Sequence, residues 1–99
     1  MIFNWISISE NFIQTVAFVA GSGGSLLKNV FCALKVTGEA SHHEILDSIH
    51  NGSSVVLTNH SNSEIGFLWK FKEILASKLK NPSVEIVVST KDADPLNVY

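Results

Sequence analysis

Apolar residues fall into short β-favouring runs separated by amphipathic stretches. Residues 15–20 (Thr-Val-Ala-Phe-Val-Ala) form a continuous run, the pattern of a strand buried on both faces. Gly21-Ser22-Gly23-Gly24 breaks it, and residues 25–31 carry a short helical pattern through Leu26, Leu27 and Val30. Residues 33–37 read as a second strand, closed by Gly38 and Glu39. Ser41 and Glu44 fit a capping box that opens a helix with Ile45, Leu46 and Ile49 as its buried stripe, and Asn51-Gly52 ends it. Residues 54–58 are a third strand. Ser61 and Glu64 repeat the capping-box pattern and open a long helix running to about Lys80. In that helix Leu68, Phe71, Leu75 and Leu79 keep the spacing of a core-facing stripe. Asn81-Pro82 stops it, and residues 83–89 predict a last strand before a turn-rich tail.

The order is β-α-β-α-β-α-β, which predicts an α/β domain with a mainly parallel or mixed sheet, flanked by helices and joined by right-handed crossovers. Residues 15–99 make this single domain. Residues 1–14 alternate without a lasting period, stay unassigned, and are expected to be weakly structured. In such a sheet Gly21, Glu39 and His60 lie at strand ends along one edge, where α/β proteins place ligands.

Composition narrows the function. Of 99 residues 45% are hydrophobic and 16% charged, against roughly 25% charged in an average globular chain. So little charge leaves apolar surface, which predicts docking on a second copy or on a further segment. A formal net charge of −2 lacks the basic stripe that nucleic-acid binding requires. Cys32, the single cysteine, excludes an intrachain disulfide and is expected to be a small buried hydrophobe in a reducing compartment. No apolar run approaches the roughly 18 residues of a membrane span, and the start shows neither a basic signal-peptide region nor the arginine enrichment of a transit peptide. The expectation is a soluble, cytoplasmic protein without direct nucleic-acid or membrane contact, with nucleus and mitochondrion left open.

Two residue types at the third strand tip carry the candidate chemistry. His60 and Glu64 are one helical turn apart, and a mixed nitrogen and oxygen ligand pair suits Zn, Mn or Fe. The same residues also read as a capping box beside a polar strand end, and the spacing leaves both readings standing. Two ligands do not hold a metal alone, since catalytic zinc takes about three from protein. Glu39 is placed to orient His60 as an outer acceptor. His42 and His43 read as solvated first-turn residues. The glycine loop sits where backbone N–H groups bind phosphate, but Leu26 breaks the dinucleotide fingerprint and the Lys-Ser/Thr of a P-loop is missing, which favours a tight turn. His50 reads as a helix C-terminal dipole partner or surface residue, and Lys70, Lys72, Lys78 and Lys80 as a solvated face. Trp69 and Phe71 read as core or oligomer contacts.

Four ordered blocks carry a resemblance. They are residues 15–27 (Thr-Val-Ala-Phe-Val-Ala-Gly-Ser-Gly-Gly-Ser-Leu-Leu), residues 36–46 (Val-Thr-Gly-Glu-Ala-Ser-His-His-Glu-Ile-Leu), residues 60–68 (His-Ser-Asn-Ser-Glu-Ile-Gly-Phe-Leu) and residues 92–96 (Asp-Ala-Asp-Pro-Leu). Together they resemble the C-terminal part of the NGG-one-interacting-factor-three-like family, also named GTP cyclohydrolase I type two homologues. The resemblance implies an α/β subunit of a toroidal homohexamer with two divalent metal ions per complete subunit. It implies that His60 and Glu64 are metal ligands and that Glu39 is a nearby polar or acid-base group. The family's remaining ligands, a histidine pair before a proline and an aspartate, belong to its N-terminal half, and His42-His43 is not that pair. Ile65 stands where the family commonly carries arginine. The implied function is a metal-dependent, GTP cyclohydrolase-like hydrolase of which this chain is a part, not catalytic by itself. The alternative is a non-catalytic interaction module for transcription cofactors.

Overall fold

The computed structural model describes residues 2–3, 6–8, 11–97 and 99. In chain order its elements are β1 (Ile2–Phe3), β2 (Ile6–Ile8), β3 (Asn11–Ile13), β4 (Val16–Ser22), α1 (Gly24–Leu27), β5 (Leu34–Glu39), α2 (His42–His50), β6 (Ser54–Leu57), α3 (His60–Ile65) and α4 (Phe67–Leu79). The main sheet runs β1-β4-β5-β6, with β4, β5 and β6 parallel and β1 antiparallel to β4. This is the α/β architecture that the alternating pattern predicts, with helical crossovers between parallel strands. Residues 1–14 are more structured than their pattern suggests, because they hold β1 and an antiparallel β2-β3 pair. Residues 1, 4, 5, 9 and 10 of that segment lie outside the described residues.

The core is small and sits where β4 and β5 meet α1, through Val16, Ala17, Leu27 and Leu34. The run 15–20 is not buried on both faces, as Phe18 and Ala20 are exposed. In α2 the expected stripe is displaced. Leu46 and Ile49 face solvent, and Ser48 is the buried residue instead. The cause lies below it on β5, where Lys35 is only 3% exposed. Its ammonium needs acceptors, and donates to Leu27 O at 2.8 Å and Ser48 Oγ at 3.1 Å. The capping box of α2 forms in both directions between Ser41 and Glu44.

Three expectations for the C-terminal part are corrected. The long helix is interrupted at Gly66 and begins at His60 without a capping box, since Ser61 lies inside α3 and no side chain caps its start. No residue of α4 is buried, so its apolar stripe does not reach the sheet, and Trp69 is exposed. Residues 83–89 join no ladder, although the outer edge of β6 has no strand beside it among the described residues. Here α4, about 20 Å long at 1.5 Å per residue, separates this segment from the sheet in sequence, and Pro82 lies in the turn between them. The radius of gyration is 17.0 Å, against about 13 Å for a compact 100-residue domain.

Candidate metal-binding edge

The C-terminal ends of β4, β5 and β6 form the edge, and backbone geometry there is tight. Ser22 pairs with Glu39 after a register shift in β4, and Gly21 has φ +68, a left-handed conformation that glycine adopts at no steric cost. After β6, Thr58 N–H donates to Thr37 O at 3.0 Å, which keeps the chain beside β5 for one more residue. Asn59 then takes φ 67 and ψ 151, a region essentially reserved for glycine, at a cost of order 1–3 kcal/mol. That reversal starts α3 at His60, over the sheet edge.

Ser63 fixes the turn. Its Oγ accepts from Gly21 N–H at 2.7 Å and donates to His60 O at 2.6 Å. Gly38 permits this approach, since a Cβ there would lie 2.6 Å from both Gly21 O and Ser63 Oγ and 3.0 Å from Asn59 O. Three elements therefore meet at a position where only hydrogen fits.

The side chains gathered at this edge are Glu39, His60 and Glu64. His60 Nδ1–H donates to Glu39 Oε1 at 2.7 Å, and His60 Nε2 faces Glu64 Oε1 at 3.4 Å. All three are about half exposed, with side-chain exposures of 56%, 46% and 53%. The hydrogen bond to Glu39 raises the His60 pKa above its ordinary value, assisted by the charges of Glu64, Glu39 and Asp94 and opposed by desolvation. Because Glu39 and Glu64 sit on opposite ring nitrogens, they do not chelate one ion through the imidazole plane. Glu39 holds the tautomer, and in the neutral imidazole Nε2 directs its lone pair at a carboxylate.

That pairing is electrostatically incomplete. Two acceptor atoms at 3.4 Å need a positive species between them, either a proton on Nε2 or a cation. A tetrahedral ion with bonds of about 2.1 Å sets adjacent ligands about 3.4 Å apart, so the donor types and their separation both fit zinc-like coordination. Among the described residues no group of three His, Cys, Asp or Glu side chains completes such a site.

Other candidates are placed elsewhere. His42 and His43 are exposed on the first turn of α2 with ring centroids 6.0 Å apart, and His50 is exposed at its end. The amides of Gly21 and Gly23 are already used, by Ser63 Oγ and by Thr37 Oγ1 at 3.1 Å, and Glu44 packs against Gly24, so the glycine loop is a tight turn bordered by an acid. Cys32 is half-buried and donates to Leu34 O at 3.3 Å. Beside this edge, Ser61, Glu64, Ile65, Leu68, Asp92, Ala93 and Pro95 line a cleft of about 290 Å³. The sequence pattern did not single out Ser63, Asn59 or Asp94 for this edge. A glycine at a strand end, as at Gly38, is a signal of close backbone approach.

The family model described as Duf34/NIF3 (NGG1p interacting factor 3) matches residues 3–95. NIF3-like protein 1 of Drosophila melanogaster is 52% identical over 87 residues, covering 88% of this chain and 30% of that protein. NGG1-interacting factor 3 of Saccharomyces cerevisiae is 42% identical over 88 residues, covering 87% of this chain and 30% of that protein. A solved structure titled as a Bacillus cereus protein related to NIF3 superposes with TM-score 0.74 at 23% identity, covering 97% of this chain and 28% of that one, which shows the shared fold. The chain thus spans about 30% of the length of these curated relatives.

Proposed function

We propose, from the premise that this chain belongs to the Duf34/NIF3 family, that its sheet edge supplies part of a divalent-metal site. His60 Nε2 and Glu64 Oε1 are the proposed ligands, and the observation that carries the reading is their 3.4 Å approach, which calls for a proton or a cation between the two atoms. Glu39 is the proposed positioning group, accepting from Nδ1–H so that Nε2 presents its lone pair outward. Gly21 leaves the space that the Glu64 carboxylate occupies, and Ser63 ties the first turn of α3 to β4. Two ligands from this chain leave the others to be supplied by the further length that its relatives possess. Bound divalent cations supply hydrolytic chemistry by lowering the pKa of a coordinated water, so the proposed activity is that of a metal-dependent hydrolase with Zn, Mn or Fe. Self-association of the complete protein is part of the same proposal.

Elemental analysis of a family-length protein carrying residues 3–95 of this chain tests it. Stoichiometric metal that is lost in both His60→Ala and Glu64→Ala supports the assignment. Metal retained in both variants overturns it.

A second reading draws on the name of the yeast relative, NGG1-interacting factor 3, and on the low charge of this chain. On that reading the chain contacts a transcription-related protein partner, and His60→Ala leaves that contact intact while removing the metal.

A further inference from the structure

We infer that residues 83–89 are an open β-strand which, with the apolar face of α4, receives a strand from the portion of a Duf34/NIF3 polypeptide that this chain does not span. The segment has the side-chain alternation of a strand. Ile86 and Val88 are half-buried, while Glu85, Val87 and Ser89 are exposed. Ile86 and Val88, with Val87 and Ser89 beside them, line a groove of about 250 Å³ with Leu68, Phe71 and Leu75, so the segment lies along α4. The segment is only partly covered, with Val87 71% exposed.

Its backbone is open as well. Val84 N–H closes the turn onto Asn81 O, and residues 85–88 form no ladder with any described residue. An extended, β-branched run covered by a helix on one face and unpaired at its edges is half of an α/β layer. Covering Val87 also removes water from the neighbouring amides and carbonyls, and strand addition satisfies them.

The occupant follows from length and charge. About 70% of the Drosophila relative lies outside the stretch this chain matches, while 88% of this chain is accounted for within it. A second copy fits less well. Lys72 lines the groove beside Leu68, Phe71 and Leu75, so a self-complementary contact there would bring like charges together.

Amide hydrogen exchange tests the inference in three samples: this chain alone, the Drosophila relative, and that relative with residues 3–95 of this chain in place of its matching stretch. Residues 85–88 are expected to exchange freely in the isolated chain and at least about 100-fold more slowly in the chimera. The native relative gives the same reading at its matching stretch should the chimera fail to fold. Equal exchange with and without the additional polypeptide overturns the inference. So does protection of 85–88 in the isolated chain that grows with its concentration, or that comes with phosphatidylserine vesicles. Val87→Glu is expected to lower the chimera's unfolding midpoint and leave that of the isolated chain unchanged; equal effects in both also overturn it.

Discussion

Replacing Gly38 by alanine perturbs the candidate edge at its narrowest point. Its backbone has no positive φ, so the substitution introduces no conformational strain of its own. The new Cβ would stand 2.6 Å from Gly21 O, 2.6 Å from Ser63 Oγ and 3.0 Å from Asn59 O. Two of these atoms are backbone, and Ser63 Oγ is held by hydrogen bonds at both ends, so β4, β5 and α3 must separate. Overpacking of this kind costs about 1–3 kcal/mol, and each kcal/mol lowers the midpoint of a domain this size by roughly 4–8 °C. The movement also carries His60 away from Glu39, so the imidazole should titrate nearer its ordinary value. Thermal unfolding followed by circular dichroism gives the first quantity, and NMR titration of the imidazole gives the second. Gly66→Ala is the control, since nothing lies within 4 Å of its Cβ and φ −58, ψ −27 are helical. It should stabilise by roughly 0.4–1 kcal/mol. A Gly38→Ala protein that unfolds within about 0.5 kcal/mol of the parent, with His60 titrating as before, would refute the close approach of the three elements.

Other consequences are equally direct. Gly21→Ala forces a side chain into the left-handed region and against Glu64 Oε1; the fold should lose about 1–2 kcal/mol, and divalent-cation affinity should fall more than in Gly66→Ala. Ser48→Ala leaves the buried Lys35 ammonium with one fewer acceptor and should cost about 1–3 kcal/mol in denaturant unfolding, whereas Ser63→Ala should act mainly on the candidate edge. The pH dependence has two opposite parts. His60 binds its proton more tightly when folded, so its contribution is complete below the unfolded value near 6.5 and is lost as pH rises through the raised folded value. Glu44, lowered by the Ser41 backbone and hydroxyl hydrogen bonds, contributes above 4.5 and loses that contribution as pH falls through its folded value. Glu39→Gln should lower the His60 pKa and flatten the upper limb while leaving the acid limb unchanged.

The parallel β-α-β order was legible because each strand run ends in a turn signal and each helix keeps its spacing, as with Asn51-Gly52 after α2 and Ser41 before it. Periodicity failed where partners decide the outcome. The helical stripe of α2 pointed to Leu46 and Ile49, but a lysine beneath it turned Ser48 inward, and no one-dimensional pattern pairs positions 35 and 48. The strand pattern of residues 83–89 is real, yet no described strand pairs with it. At the candidate edge, residue types and strand ends brought Glu39, His60 and Glu64 into consideration. The contacts that hold them, Ser63 to Gly21 and Gly38 against Asn59, link residues 42 and 21 positions apart and leave no local signature beyond a glycine. The Ser61 to Glu64 capping pattern was misleading for a physical reason: the strained Asn59 starts the helix two residues earlier, and the carboxylate goes to the imidazole instead.

The most direct measurement is paramagnetic broadening of the isolated chain by substoichiometric Mn²⁺, which reads weak two-ligand sites residue by residue. Signals of His60, Glu64 and neighbouring Gly21 should broaden first, with His42, His43 and His50 unaffected and the effect absent in Glu64→Gln. Broadening centred on the α2 histidines, or spread evenly over the surface carboxylates, would contradict a shared cation between His60 and Glu64.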